Sequence, residues 1–108
     1  MTIEGLDTII RNVFTVSEGS LGHWRFGINQ TEIICLADAQ HNRMRFIAAI
    51  ARVSDLTNQQ LTASLEANFH TALDTKYAIS NQVLWSVYMH PLAELQDHQV
   101  RDLSLIHI

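Results

Sequence analysis

Six histidines, His23, His41, His70, His90, His98 and His107, are the side chains best able to bind a metal or move a proton. No two of them sit four residues apart. None combines with acids or with Cys35 in a metal-ligand spacing. No metal and no other cofactor is expected. Cys35 is the one cysteine and lies in an apolar run, where a free thiol behaves as a small hydrophobe. A nucleophilic thiol needs a cation or a histidine to hold the thiolate, and only His23 or His90 could be brought to it by the fold. Gly5, Gly19, Gly22 and Gly27 form no phosphate-cradling loop. The carboxylates are scattered, with no pair placed for acid–base work. The expectation is therefore a protein that is not an enzyme. Two further sets speak to binding. Arg43, Arg45 and Arg52 share one stretch, and Arg43 and Arg45 share a face that either grips an acidic partner or is a solvated strand end. Trp24 and Trp85 suit core or interface anchors.

These residues sit in a chain of 108, the size of one domain. Apolar residues are 47% and charged residues 17%, a globular balance. The net charge of −4 excludes a basic nucleic-acid footprint and attraction to an anionic membrane. No apolar run reaches the ~18 residues that span a bilayer. The first residues carry no basic, apolar leader, and a single cysteine allows no internal disulfide, so a reducing, cytoplasmic setting is expected. The end, Leu103-Ser104-Leu105-Ile106-His107-Ile108, matches the translation of a commonly used sequencing-transposon end. The expected arrangement is one domain over 1–102 and a non-native read-through tail over 103–108.

Helical spacing of Leu6, Ile9, Ile10 and Val13 predicts a helix from Thr2 to Phe14, with Thr2 as its cap. Ser17-Glu18-Gly19-Ser20 reads as a turn. Three strands are predicted next: His23 to Asn29 with Trp24, Phe26 and Ile28 on one side, Thr31 to Ala37, and Arg43 to Val53 with Met44, Phe46, Ala48 and Ile50 on one side. Gln30 and Ala39 to Asn42 supply the turns. Thr57-Asn58-Gln59-Gln60 fits a reciprocal helix cap. The helix after it carries Leu61, Leu65, Phe69 and Leu73 as an apolar stripe expected to cover the sheet. Lys76 to Ser80 and Val83 to His90 form a hairpin around Asn81-Gln82, ended by Pro91. A last helix starts near Gln96 or Asp97 and turns Val100 inward. The class is α+β: a two-layer sandwich in the order α-β-β-β-α-β-β-α, with an antiparallel-rich five-stranded sheet and flanking helices.

A sheet with one wet face alternates apolar and polar residues. Ile33 to Ala37, Phe46 to Ala51 and Val83 to Met89 do not. Both faces are therefore apolar, and the three helices cover too little. About six uncovered side chains are worth on the order of 10 kcal/mol on burial, against ~4–15 kcal/mol lost on association. A dimer or a captured partner segment can close that balance. Three helices sufficing around a thick core is the other possibility.

The element order over nearly the whole chain resembles the type III secretion chaperone family, also called the Tir chaperone (CesT) family. The stretch from Leu73 to Leu92, LDTKYAISNQVLWSVYMHPL, is similar to that group and is structural in character. The same topology occurs in YbjN-like proteins. The resemblance implies a small, acidic, cytoplasmic homodimer that binds an extended, unfolded client or effector segment without ATP. The YbjN-like alternative implies a dimeric scaffold or regulator with no secretion client. No residue-specific motif transfers from either group. Phe46, Ile50, Trp85 and Tyr88 are the residues expected to face a partner.

Overall fold

A computed structural model describes residues 1–28, 30–70 and 75–101. Helix α1 spans Ile3–Val13, and the Thr2 hydroxyl caps it by accepting the Gly5 amide at 2.9 Å. Its apolar side buries Leu6, Ile9 and Ile10. Six strands follow: β1 (Val16–Ser20), β2 (His23–Ile28), β3 (Thr31–Asp38), β4 (Arg43–Arg52), β5 (Thr75–Ser80) and β6 (Val83–His90). They form one antiparallel sheet in the order β1-β2-β3-β4-β6-β5. Helix α2 (Asn58–His70) lies between β4 and β5 in the chain, and α3 (Asp97–Arg101) follows β6.

The described sheet has six strands where five were expected. Ser17 to Ser20, read as a turn, is part of β1, and the true turn is two residues later at Leu21-Gly22, where Gly22 takes φ +91°. The strand is short, polar and at the sheet margin, so its sequence has no apolar alternation to announce it. The element order is accordingly α-β-β-β-β-α-β-β-α, within the expected α+β class.

The other turns obey local chemistry. Gln30 (φ 68°), Asn42 (φ 50°) and the Asn81-Gln82 pair (φ 51° and 64°) all sit in the left-handed region, as tight hairpins require. Asn42 does more than turn: its Oδ1 accepts the Ala93 amide at 2.7 Å and its carbonyl accepts that of Leu92 at 3.3 Å. That ties the chain after β6 to the β3–β4 turn and seats Leu92 and Leu95 in the core. The α2 cap is reciprocal: the Gln60 amide donates to Thr57 Oγ1 at 3.1 Å, and the Thr57 amide donates to Gln60 Oε1 at 2.8 Å.

The core lies between α1 and one sheet face. Trp24, Phe26, Ile33, Cys35, Met44, Phe46 and Ala48 point into it beside Leu6, Ile10 and Val100. Phe14 stacks on Phe26, and Phe26 meets Phe46 edge-on at 6.4 Å. The Trp24 indole donates to Asp7 Oδ1 at 2.7 Å, which pins α1 to β2. That bond first, and the Arg11 guanidinium second, hold the Asp7 carboxyl below the usual carboxylate range. α2 departs from expectation. It buries no residue, and Leu65 and Phe69 are 67% and 85% exposed. Leu73, the fourth member of the stripe, and the 103–108 tail lie outside the described residues.

Two outcomes follow. Phe46→Ala should cost about 3–5 kcal/mol in urea unfolding, while Leu65→Ala at low protein concentration should shift stability by less than ~0.5 kcal/mol. A reversed order would exchange the two residues between core and surface. The Asp7 contribution is present in full above the unfolded carboxyl value near pH ~4. It is lost as pH falls through the depressed folded value, so Asp7→Asn should flatten the acid limb of the stability profile. An unchanged limb would remove Asp7 from that role.

Candidate functional site

The two faces of the sheet differ in cover, not in polarity. Register places Ile34, Ile47 and Val87 in one row across β3, β4 and β6, with Leu36 and Met89 on one side of it. Ala49, Trp85 and Ala78 lie on the other side. This face is turned away from the core, and no described helix packs on it: α1 sits on the opposite face with α3 against it, and α2 borders β5. Met89 is 51% exposed, and Ile34, Leu36, Ile47, Trp85 and Val87 are half-buried by their strand neighbours alone. The Trp85 indole donates to the Ser80 carbonyl at 3.2 Å, fixing the ring over the β5–β6 hairpin.

A second apolar surface lies where α2 meets the sheet margin. The Asn68 side chain behaves like a further strand: its Nδ2 donates to the Tyr77 carbonyl at 2.9 Å, and its Oδ1 accepts the Tyr77 amide at 2.7 Å. The Lys76 ammonium donates to the Asn68 carbonyl at 2.8 Å. α2 is thereby held along the outer edge of β5 rather than across the sheet. Between them is a groove of about 240 Å³ lined by Leu61, Leu65, Tyr77, Ile79 and Leu84. Phe69 and Ile79 stand exposed beside it.

The four residues expected at a partner surface separate. Phe46 and Tyr88 are buried, opposite each other across β4 and β6 with rings 6.1 Å apart, and lie in the core. Trp85 is on the uncovered sheet face. Ile50 is left unpaired by a bulge between Ala49 and Ala51 and lines the α2 side with Leu56, Tyr77 and Leu84. Ile34, Leu36, Val87 and Met89 were not singled out in the sequence. Counting every second residue from Trp85, and following the pairing to β3, would have found them. Cys35 is fully buried, and burial pushes its thiol value up, away from the thiolate. No group of His, Cys, Asp and Glu among the described residues is placed to hold a metal ion. No described helix is long and apolar enough to cross a membrane.

No protein-family profile and no curated protein sequence matches the chain. Solved structures do. A chain of the HopA1–SchA chaperone–effector complex superposes with a TM-score of 0.70 at 14% identity, over 94% of this chain and 82% of that one. A chain of the complex of the Yersinia pestis type III secretion chaperone SycH with a stable fragment of YscM2 superposes with a TM-score of 0.68 at 13% identity, over 96% and 91%. The fold is that of type III secretion chaperones. At these identities the likeness is one of fold, and the uncovered surfaces of this chaperone-like fold must be argued from its own residues.

The Asn68 contact has a direct readout. Asn68→Ala should destabilise the chain by about 1–2 kcal/mol and speed hydrogen exchange at the Tyr77 amide. Unchanged exchange there would detach α2 from the β5 edge.

Proposed function

We propose that this protein is a non-enzymatic, chaperone-like homodimer that holds a segment of a client protein. The observation that carries the reading is the sheet face bearing Ile34, Ile47, Trp85, Val87 and Met89 with no described helix upon it. Contiguous apolar surface of this kind marks an interaction site. The chaperone–effector setting of the two similar structures supports the same reading.

The two surfaces divide the work. Phe69 projects next to the groove of Leu61, Tyr77, Ile79 and Leu84. A projecting ring beside a recess on one surface is self-complementary. Two copies related by a two-fold axis can each place the ring in the other's recess. This surface is assigned to the second copy. The sheet face is assigned to the client, whose apolar side chains would pack on Trp85 and its row. A client strand can also pair with β1, whose outer edge faces no neighbouring strand.

Light scattering tests the first half. The intact chain should be dimeric at micromolar concentration, and Phe69→Asp should be monomeric with an unchanged circular dichroism spectrum. A monomeric wild type would end the dimer reading. Pull-down with unfolded N-terminal segments of proteins encoded beside it tests the second half. A dimer that retains none of them would be a YbjN-like scaffold and not a chaperone.

A further inference from the structure

We infer that the uncovered sheet face selects a client segment whose apolar side is flanked by carboxylates, through Arg43 and Arg45 at one end and Arg52 at the other; this rests on the client reading above. The argument starts from where the charges fall. The chain is acidic, with a net charge of −4. Yet by register five of its seven basic residues, Arg25, Arg43, Arg45, Arg52 and Lys76, belong to this one face. The carboxylates on the same face are Glu18, Glu32 and Asp38. The face is thus positive on a negative protein.

These carboxylates do not answer all the cations. Glu18 and Glu32 both turn to Arg25, at 3.8 and 3.1 Å. Asp38 is opposite Arg43 in register but turns to His41, whose Nδ1 lies 2.6 Å from Oδ2. Lys76 is held by Asn68. Arg43, Arg45 and Arg52 have no ion pair among the described residues. Arg43 and Arg45 line a cleft of about 310 Å³ that opens beside Leu36. Arg45 lies between Leu36 and Met89, so its guanidinium stands at the end of the apolar row itself.

The spacing defines the occupant. Arg45 and Arg52 are seven residues apart on β4, a span of ~20 Å at about 3.3 Å per residue. A segment crossing the face places its apolar side on Ile47, Trp85 and Val87 and carries Asp or Glu near each end. Guanidinium forks match carboxylates in geometry, and such bonds at a desolvated edge discriminate by sign of charge. A segment with basic ends meets like charge at both places.

The test is a peptide array probed with the intact chain. Apolar positions are varied, and the ends are Glu, Gln or Lys. Glu-ended peptides should bind about tenfold tighter than Lys-ended ones, and the preference should shrink in high salt. Arg43→Gln with Arg45→Gln should reduce it to within about threefold while apolar binding persists. Equal binding of the Glu and Lys sets would overturn the inference and leave the client reading standing. Binding of no peptide, or binding that survives Trp85→Glu, would overturn both. Displacement of the Glu set by a DNA or RNA oligonucleotide of equal affinity would overturn carboxylate selection, because the arginines would then be reading any polyanion.

Discussion

The period of two along β4 and β6 is the constraint on which the rest depends. Side chains at Met44, Phe46, Ala48, Leu84, Ser86 and Tyr88 go to the helix side and are buried. The intervening residues Ile47, Ala49, Trp85, Val87 and Met89 go to the other side by geometry alone. Both sets are apolar. A single packed layer can satisfy only one of them. α1 is the helix that satisfies it, with α3 packed on α1 and α2 placed at the β5 margin. The uncovered face is therefore not a local irregularity. It follows from two apolar sets of side chains and one layer of helices.

Local signals in the sequence were read well where side-chain chemistry closes on its own backbone. The Thr57–Gln60 cap, the Thr2 cap and the left-handed turns at Gln30, Asn42 and Asn81 each need only neighbours within a few residues. Non-local placement was read poorly. β1 is held by pairing to β2, and none of its residues is fully buried, so nothing in its own five residues distinguishes it from a loop. α2 has a continuous apolar stripe, and a stripe states that a helix has a face to bury without stating against what. Asn68 decides the matter by binding the Tyr77 backbone, a contact between side chain and strand edge that periodicity does not express.

The surface was legible as a surplus and not as an address. Unbroken apolar runs in β3, β4 and β6 gave the surplus directly from composition. Alternation then assigned residues to two sides, but which side the helices take is set by α1, through Leu6, Ile10 and the Asp7–Trp24 bond. Phe46 and Tyr88 therefore lie in the core, while Trp85, three residues from Tyr88, lies outside. The bulge at Ile50 adds a second displacement, since one unpaired residue lets the strand keep Ile50 on the α2 side next to Ala51.

An open apolar face carries a hazard that the sheet margins limit. Strand edges present unpaired amides and carbonyls, and joined to a greasy face they invite uncontrolled stacking. Here one margin is occupied by Asn68 and Lys76 of the α2–β5 contact. The other is a short polar strand interrupted by a bulge, with the Gly19 carbonyl taken by Arg11 at 3.2 Å. Charge guards the face itself. Two arginines at one end and one at the other repel a second copy of the same face. A segment of opposite charge meets no such barrier. The features that keep this surface from self-association are thus the ones that give it a preference among partners.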